Sequence, residues 1–159
     1  MSARLALAAA MLVLASCSNT VSHDAQASAA TATATNASAE TTVDGVVVHA
    51  STIASADLNE ISARRYGISR EGNGLFLLVT VRDDHGNGVP VDALQLTAQS
   101  AVLPDAPTAL PLLPITTNGM TDYIATVAAK PPASVQFKID VRKGSATSTM
   151  TFTRDLLPR

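Results

Sequence analysis

Residues 75–82 read Leu-Phe-Leu-Leu-Val-Thr-Val-Arg, the strongest strand signal in the chain. Leu75, Leu77, Val79 and Val81 alternate onto one face, while Phe76, Leu78 and Thr80 make the other face partly apolar. A strand with two apolar faces belongs in the middle of a covered sheet. It is bounded upstream by Glu71-Gly72-Asn73-Gly74 and downstream by Asp83-Asp84-His85-Gly86-Asn87-Gly88, both rich in the residues that turns require.

Working outward, Val91 to Ala98 forms the next strand, with Leu94, Leu96 and Ala98 on one side. The following stretch, Leu103 to Pro114, contains Pro104, Pro107, Pro111 and Pro114, which cannot donate to a ladder and so belong to loops or an edge. Asn118-Gly119 marks a turn, Tyr123, Ala125 and Val127 a strand face, and Pro131-Pro132 the end of that strand. Val135, Phe137, Ile139 and Val141 then alternate with Gln136, Lys138, Asp140 and Arg142, the clearest period of two in the sequence. After Gly144, a threonine row at 147, 149, 151 and 153 alternates with Ser148, Met150 and Phe152.

Upstream, Val46 to His49 reads as a first strand. Asp57-Leu58-Asn59-Glu60 has the spacing of a capping box with Asp57 as the cap, opening a short helix that runs to about Tyr66 and stops at Gly67. About seven short strands separated by turn signals, with one helix after the first strand, predict an all-β, antiparallel, immunoglobulin-like β-sandwich. A small barrel is the alternative, since strand count does not settle closure.

The beginning of the chain is of another kind. Arg4 precedes an apolar run from Leu5 to Ala15, the layout of a secretory signal and too short to span a bilayer. Leu14-Ala15-Ser16-Cys17 resembles a bacterial lipobox, in which the thiol is diacylglycerylated, the signal is cut before the cysteine and the new amine is acylated. Cys17 is the one cysteine of the chain, and lipidation accounts for it. Several acyl chains, at about 0.8 kcal/mol per buried methylene, anchor stably where a single chain does not. Membrane lipid is thus one expected partner. Ser18 stands where an aspartate would signal inner-membrane retention, so the resemblance implies the periplasmic face of the outer membrane. The expected division is a signal over 1–16, lipidated Cys17 with an Ala/Ser/Thr tether over 17–42, and a β domain over 43–159. The tether composition cannot bury enough surface to offset ordering. As a random coil it would span about 25 to 30 Å. Asn36-Ala37-Ser38 matches a glycosylation sequon and is read as chance.

Composition excludes some functions. Among 159 residues the formal charge is -2, without the clustered basic surface that nucleic acid requires. His23, His49, His85, Met120 and Met150 are scattered without ligand spacing, so no copper or zinc site is expected, nor any cofactor. Asp83, Asp84 and Asn87 loosely resemble a calcium loop but lack its distal glutamate, and a hairpin turn explains them better. No serine or threonine sits in a nucleophile elbow, and no His–carboxylate pair is set by a motif. Paired carboxylates for glycoside chemistry depend on distances the fold determines. The chain is read as a nonenzyme.

The run Ala63-Arg64-Arg65-Tyr66-Gly67-Ile68-Ser69-Arg70-Glu71-Gly72-Asn73-Gly74 and the strand after it resemble a signature of domain-of-unknown-function family 4426, of proteobacterial envelope proteins. Tyr123 with Ala125, and Phe137, extend the similarity over most of Val43 to Phe152. The family has no assigned activity, so the resemblance implies no catalytic residues. The lipobox and long tether set this chain apart from the plain secretory signal expected of many members. Within the run, Tyr66, Arg70 and Asn73 are the candidate binding residues, because a guanidinium fork suits a carboxylate or phosphate. The competing reading has Arg70 and Asn73 fastening the turn and Tyr66 closing the core. The functional expectation is a noncatalytic binding or scaffold module that holds an envelope protein or glycan on a sheet face, an edge strand or the proline-rich loop. A small-ligand or metal-binding role is the alternative.

Overall fold

The computed structural model describes residues 31–34 and 37–158, which form two five-stranded sheets. The first sheet runs in the order β1 (Thr31–Ala34), β10 (Ala146–Leu156), β9 (Ala133–Lys143), β5 (Gln95–Val102) and β6 (Thr108–Ala109). The second runs β2 (Ser38–Val43), β3 (Val46–Ala54), β4 (Gly74–Asp83), β8 (Met120–Ala128) and β7 (Leu113–Thr117). Every pairing is antiparallel except β1 with β10, which is parallel. The two separate sheets make this a β-sandwich and dispose of the barrel alternative.

β4 occupies the middle of its sheet, as its two apolar faces require. Leu75, Leu77, Val79 and Val81 are buried in one core with Val135, Phe137, Ile139 and Val141 of β9 and Met150 and Phe152 of β10. The Phe137 and Phe152 rings stack at 5.2 Å between centroids. Across this dry space a buried polar contact between side chains joins the sheets: Thr41 Oγ1 and Ser148 Oγ lie 2.6 Å apart. The other face of β4 is covered as well. Phe76 packs with Leu58, Ala63 and Ile124 in a second, smaller cluster beneath the helix α1 (Glu60–Tyr66).

Four features differ from the sequence reading. The strand read over Val91 to Ala98 begins at Gln95, because Val91–Ala93 after Pro90 form a 3-10 turn. β2 begins at Ser38, inside the stretch 17–42 read as tether. Ala39, Thr41 and Val43 point inward and are buried, so a period of two built from small side chains was hidden in an Ala/Thr-rich composition. β1 precedes it, and with two-residue β6 it brings the strands among the described residues to ten against about seven expected. The helix cap is Asn59, whose side chain accepts from the Ser62 amide, and not Asp57, which lies in a 3-10 turn before the helix. Gly67 ends the helix in the left-handed region (φ 64°) as expected. Cys17, His23 and Asn36 lie outside the described residues, as do the signal and most of the tether. Among the described residues no helix is long and apolar enough to cross a membrane.

The proline-rich stretch follows its expectation. Pro104, Pro107 and Pro111 lie outside the strands, and Pro114 lies in β7, an edge strand, where a missing donor is tolerated.

The Thr41–Ser148 contact is the polar tie in an otherwise apolar interface. Thr41→Val removes this hydrogen bond and is expected to lower unfolding free energy by about 0.5–1.5 kcal/mol in urea titrations. Combining it with Ser148→Ala should cost less than the sum of the two single changes.

Candidate functional site

The three residues singled out from the sequence are held by the segment joining α1 to β4, and the fold sends them to different places. Tyr66, in the last turn of α1, stacks on Phe76 at 5.2 Å and packs in the cluster beneath the helix. Arg70 is exposed and faces a shallow depression bounded by Glu60, Arg64 and Glu71. Asn73 is exposed on the rim of a separate cleft, and its backbone carbonyl accepts from the Ala129 amide at 3.4 Å. None of the cavities described is lined by two of the three residues.

The Asp83–Gly88 turn is closed by its own first side chain. Asp83 Oδ1 accepts from the amides of His85 (2.9 Å) and Asn87 (2.7 Å), and Oδ2 accepts from Asn87 Nδ2 at 2.9 Å. These bonds, led by the Asn87 side chain, hold the Asp83 carboxyl below its ordinary value of 3.8. The carboxylate is therefore spent on the hairpin, consistent with an Asx-type turn.

His49 faces Glu40 across the β2–β3 ladder at 3.5 Å, and His85 lies 3.5 Å from Asp84. Met150 is fully buried in the core, and Met120 packs beside Gly88. No group of three or more His, Cys, Asp or Glu side chains able to hold a metal occurs among the described residues. Arg82 approaches Asp122 at 2.7 Å, an ion pair lacking hydrogen-bond alignment at the carboxylate oxygen.

A different feature is more open to a partner. β6 pairs with β5 only at Gln99 and Ser100, and one further bond runs from the Leu110 amide to the Ala98 carbonyl. The chain then departs at Pro111 toward β7 in the other sheet. The edge of β5 from Gln95 to Thr97 is left without a strand neighbour among the described residues. Beside it lies a groove of about 620 Å³, walled by Val91, Leu94, Leu96, Leu110, Leu112 and Tyr123. Burial there raises the Tyr123 phenol above its ordinary value. The sequence named the edge strand and the proline-rich loop as possible surfaces, but not these residues. The usable signal was the proline density after Leu103, which limits how far β6 can extend.

The domain of unknown function DUF4426 matches residues 40–158. The chain belongs to the DUF4426 family. A DUF4426 protein from Pseudomonas aeruginosa PAO1, known from its crystal structure, shares 16% identity with a TM-score of 0.59, over 77% of this chain and 97% of that one. FetP from uropathogenic Escherichia coli strain F11 is more distant, at 10% identity and TM-score 0.49, covering 75% of this chain and 93% of that one. A copper-bound variant of FetP gives 13% and 0.46, over 69% and 75%. No curated protein matches the sequence. At these identities the likeness to the Pseudomonas protein concerns the fold.

Two outcomes follow for these residues. Arg70→Ala, on an exposed loop, should leave the thermal midpoint nearly unchanged, whereas Tyr66→Ala removes the ring stacked on Phe76 and should cost about 1–3 kcal/mol in denaturant titrations. The lowered Asp83 carboxyl contributes stability while ionised. That contribution is present above the unfolded carboxylate range and is lost as pH falls through the folded value. Carboxyl NMR titration should place Asp83 below 3.8 and show it rising in Asn87→Ala.

Proposed function

We propose that this DUF4426 protein is a noncatalytic, lipid-anchored binding module on the periplasmic side of the envelope that holds an extended segment of another envelope protein. The observation that carries the reading is the unpaired edge of β5 beside an apolar groove. Leu110 donates to the Ala98 carbonyl, so the backbone groups of the even-numbered residues of β5 face that edge. The same side at Leu96 offers a donor and an acceptor to an incoming strand. A peptide continuing the sheet where β6 stops would satisfy both and set alternate apolar side chains into the groove, the chemistry of strand addition. Exposed strand edges are otherwise avoided or blunted, as Pro114 does for β7. Val91, 49% exposed, leaves that wall of the groove open to an incoming side chain.

The anchor rests on Cys17 and its lipobox-like surroundings. It would confine binding to two dimensions close to the membrane, raising the effective concentration of a membrane-associated partner.

The experiment is site-specific photocrosslinking in intact cells. A photoreactive residue at Val91 should capture a discrete protein, while one at exposed Thr147 on β10 should not. Leu96→Lys, which places a charge on the groove wall, should reduce the Val91 product at least fivefold with the fold intact by circular dichroism. Cys17→Ala should abolish incorporation of an alkyne fatty acid and weaken capture. Equal labelling from both positions, or capture indifferent to Leu96→Lys, would overturn the strand-addition reading.

A further inference from the structure

We propose that the cleft at the α1 end of the sandwich binds a small monocarboxylate, with Arg154 as its counter-charge. Along β10 the even-numbered residues face the core: Ser148, Met150, Phe152 and Leu156 are all buried. Arg154 belongs to the same row, opposite buried Val135 of β9. A cation therefore occupies a position that the alternation reserves for an apolar side chain. Its Nε lies buried and has no hydrogen-bond partner among the described residues.

That combination is unusual, because a buried guanidinium donor is ordinarily paired with a carboxylate or a carbonyl. Here the side chain borders a cleft of about 530 Å³. One wall is the Gly72-Asn73-Gly74 segment, and others are Ala54, Pro131 and Leu156. Gly74 keeps the segment tight against β8, since a Cβ there would lie 2.4 Å from the Val127 carbonyl oxygen.

The lining also defines the ligand class. A guanidinium presents a planar fork that matches a carboxylate. Asp155 stands on the rim, accepting from the Ser134 hydroxyl, and its carboxylate disfavours a second negative charge on the ligand. The alanine, proline and leucine walls accept a short apolar substituent. These constraints select a carboxylate of single charge with a small hydrocarbon tail over phosphate. The inference is independent of strand addition, since no residue lines both the cleft and the β5 groove.

Titration of the purified protein with butyrate, butyramide and inorganic phosphate, followed by amide NMR, tests it. Butyrate should give saturable shifts at Gly72, Asn73 and Arg154, butyramide should give none, and phosphate should bind at least tenfold more weakly. Arg154→Met should raise the apparent Kd for butyrate at least tenfold, and Arg154→Lys should retain part of the affinity. Should Arg154→Met fail to fold, the Arg154→Lys titration and the butyrate–butyramide contrast decide. Absence of saturable shifts, equal response to butyramide or phosphate, or an unchanged Kd in folded Arg154→Met would overturn the proposal.

Discussion

Everything in this fold depends on keeping water out of the gap between two sheets. That requirement forces each strand to present alternate residues inward, and the rows Leu75–Val81 of β4 and Val135–Val141 of β9 meet it with almost no exposed surface. The stacked Phe137 and Phe152 rings fill the middle. The Thr41 and Ser148 hydroxyls enter it bonded to each other. Because a one-residue slip would turn every apolar side chain to solvent, register follows from the same demand.

A filled interior leaves function to the edges and the ends. α1 seals the outer face of β4, so that part of the second sheet is buried on both sides and offers no binding surface. On the opposite flank the proline-rich segment behaves differently: β6 is only two residues long and the chain crosses to the other sheet after it. The resulting gap exposes backbone along one edge of β5, whose other edge is paired with β9. Likewise, the parity of β10 carries a guanidinium into the mouth of the core at the end where α1 sits.

Long strands with large apolar residues were legible. Alternation in 75–82 and 135–142 identified β4 and β9 and their inward faces, and the Gly67 stop was read from the left-handed conformation glycine permits. β2 was missed because buried Ala39 and Thr41 look the same in a composition as exposed ones, and only pairing with β3 distinguishes them. The cap moved from Asp57 to Asn59 because Ala56 and Asp57 are drawn into a 3-10 turn, a local choice no spacing rule reveals. Tyr66, Arg70 and Asn73 looked like a cluster because they are close in sequence, yet a helix end and a tight turn separate their directions. Arg154 carried a signal that could have been followed: extending the row Ser148, Met150, Phe152 by two residues puts a cation in phase with the core.

The parallel pairing of β1 with β10 has a mechanical consequence. Thr31 to Ala34 lie alongside Thr149 to Phe152, running in the same direction, and the chain then continues into β2 of the other sheet. Tension applied upstream of Thr31 draws β1 lengthwise along its neighbour, loading several ladder bonds together in shear instead of peeling them one at a time. The N-terminal chain thus grips both layers before any pull reaches β3, and the sandwich can bear a load from that side without first being unzipped.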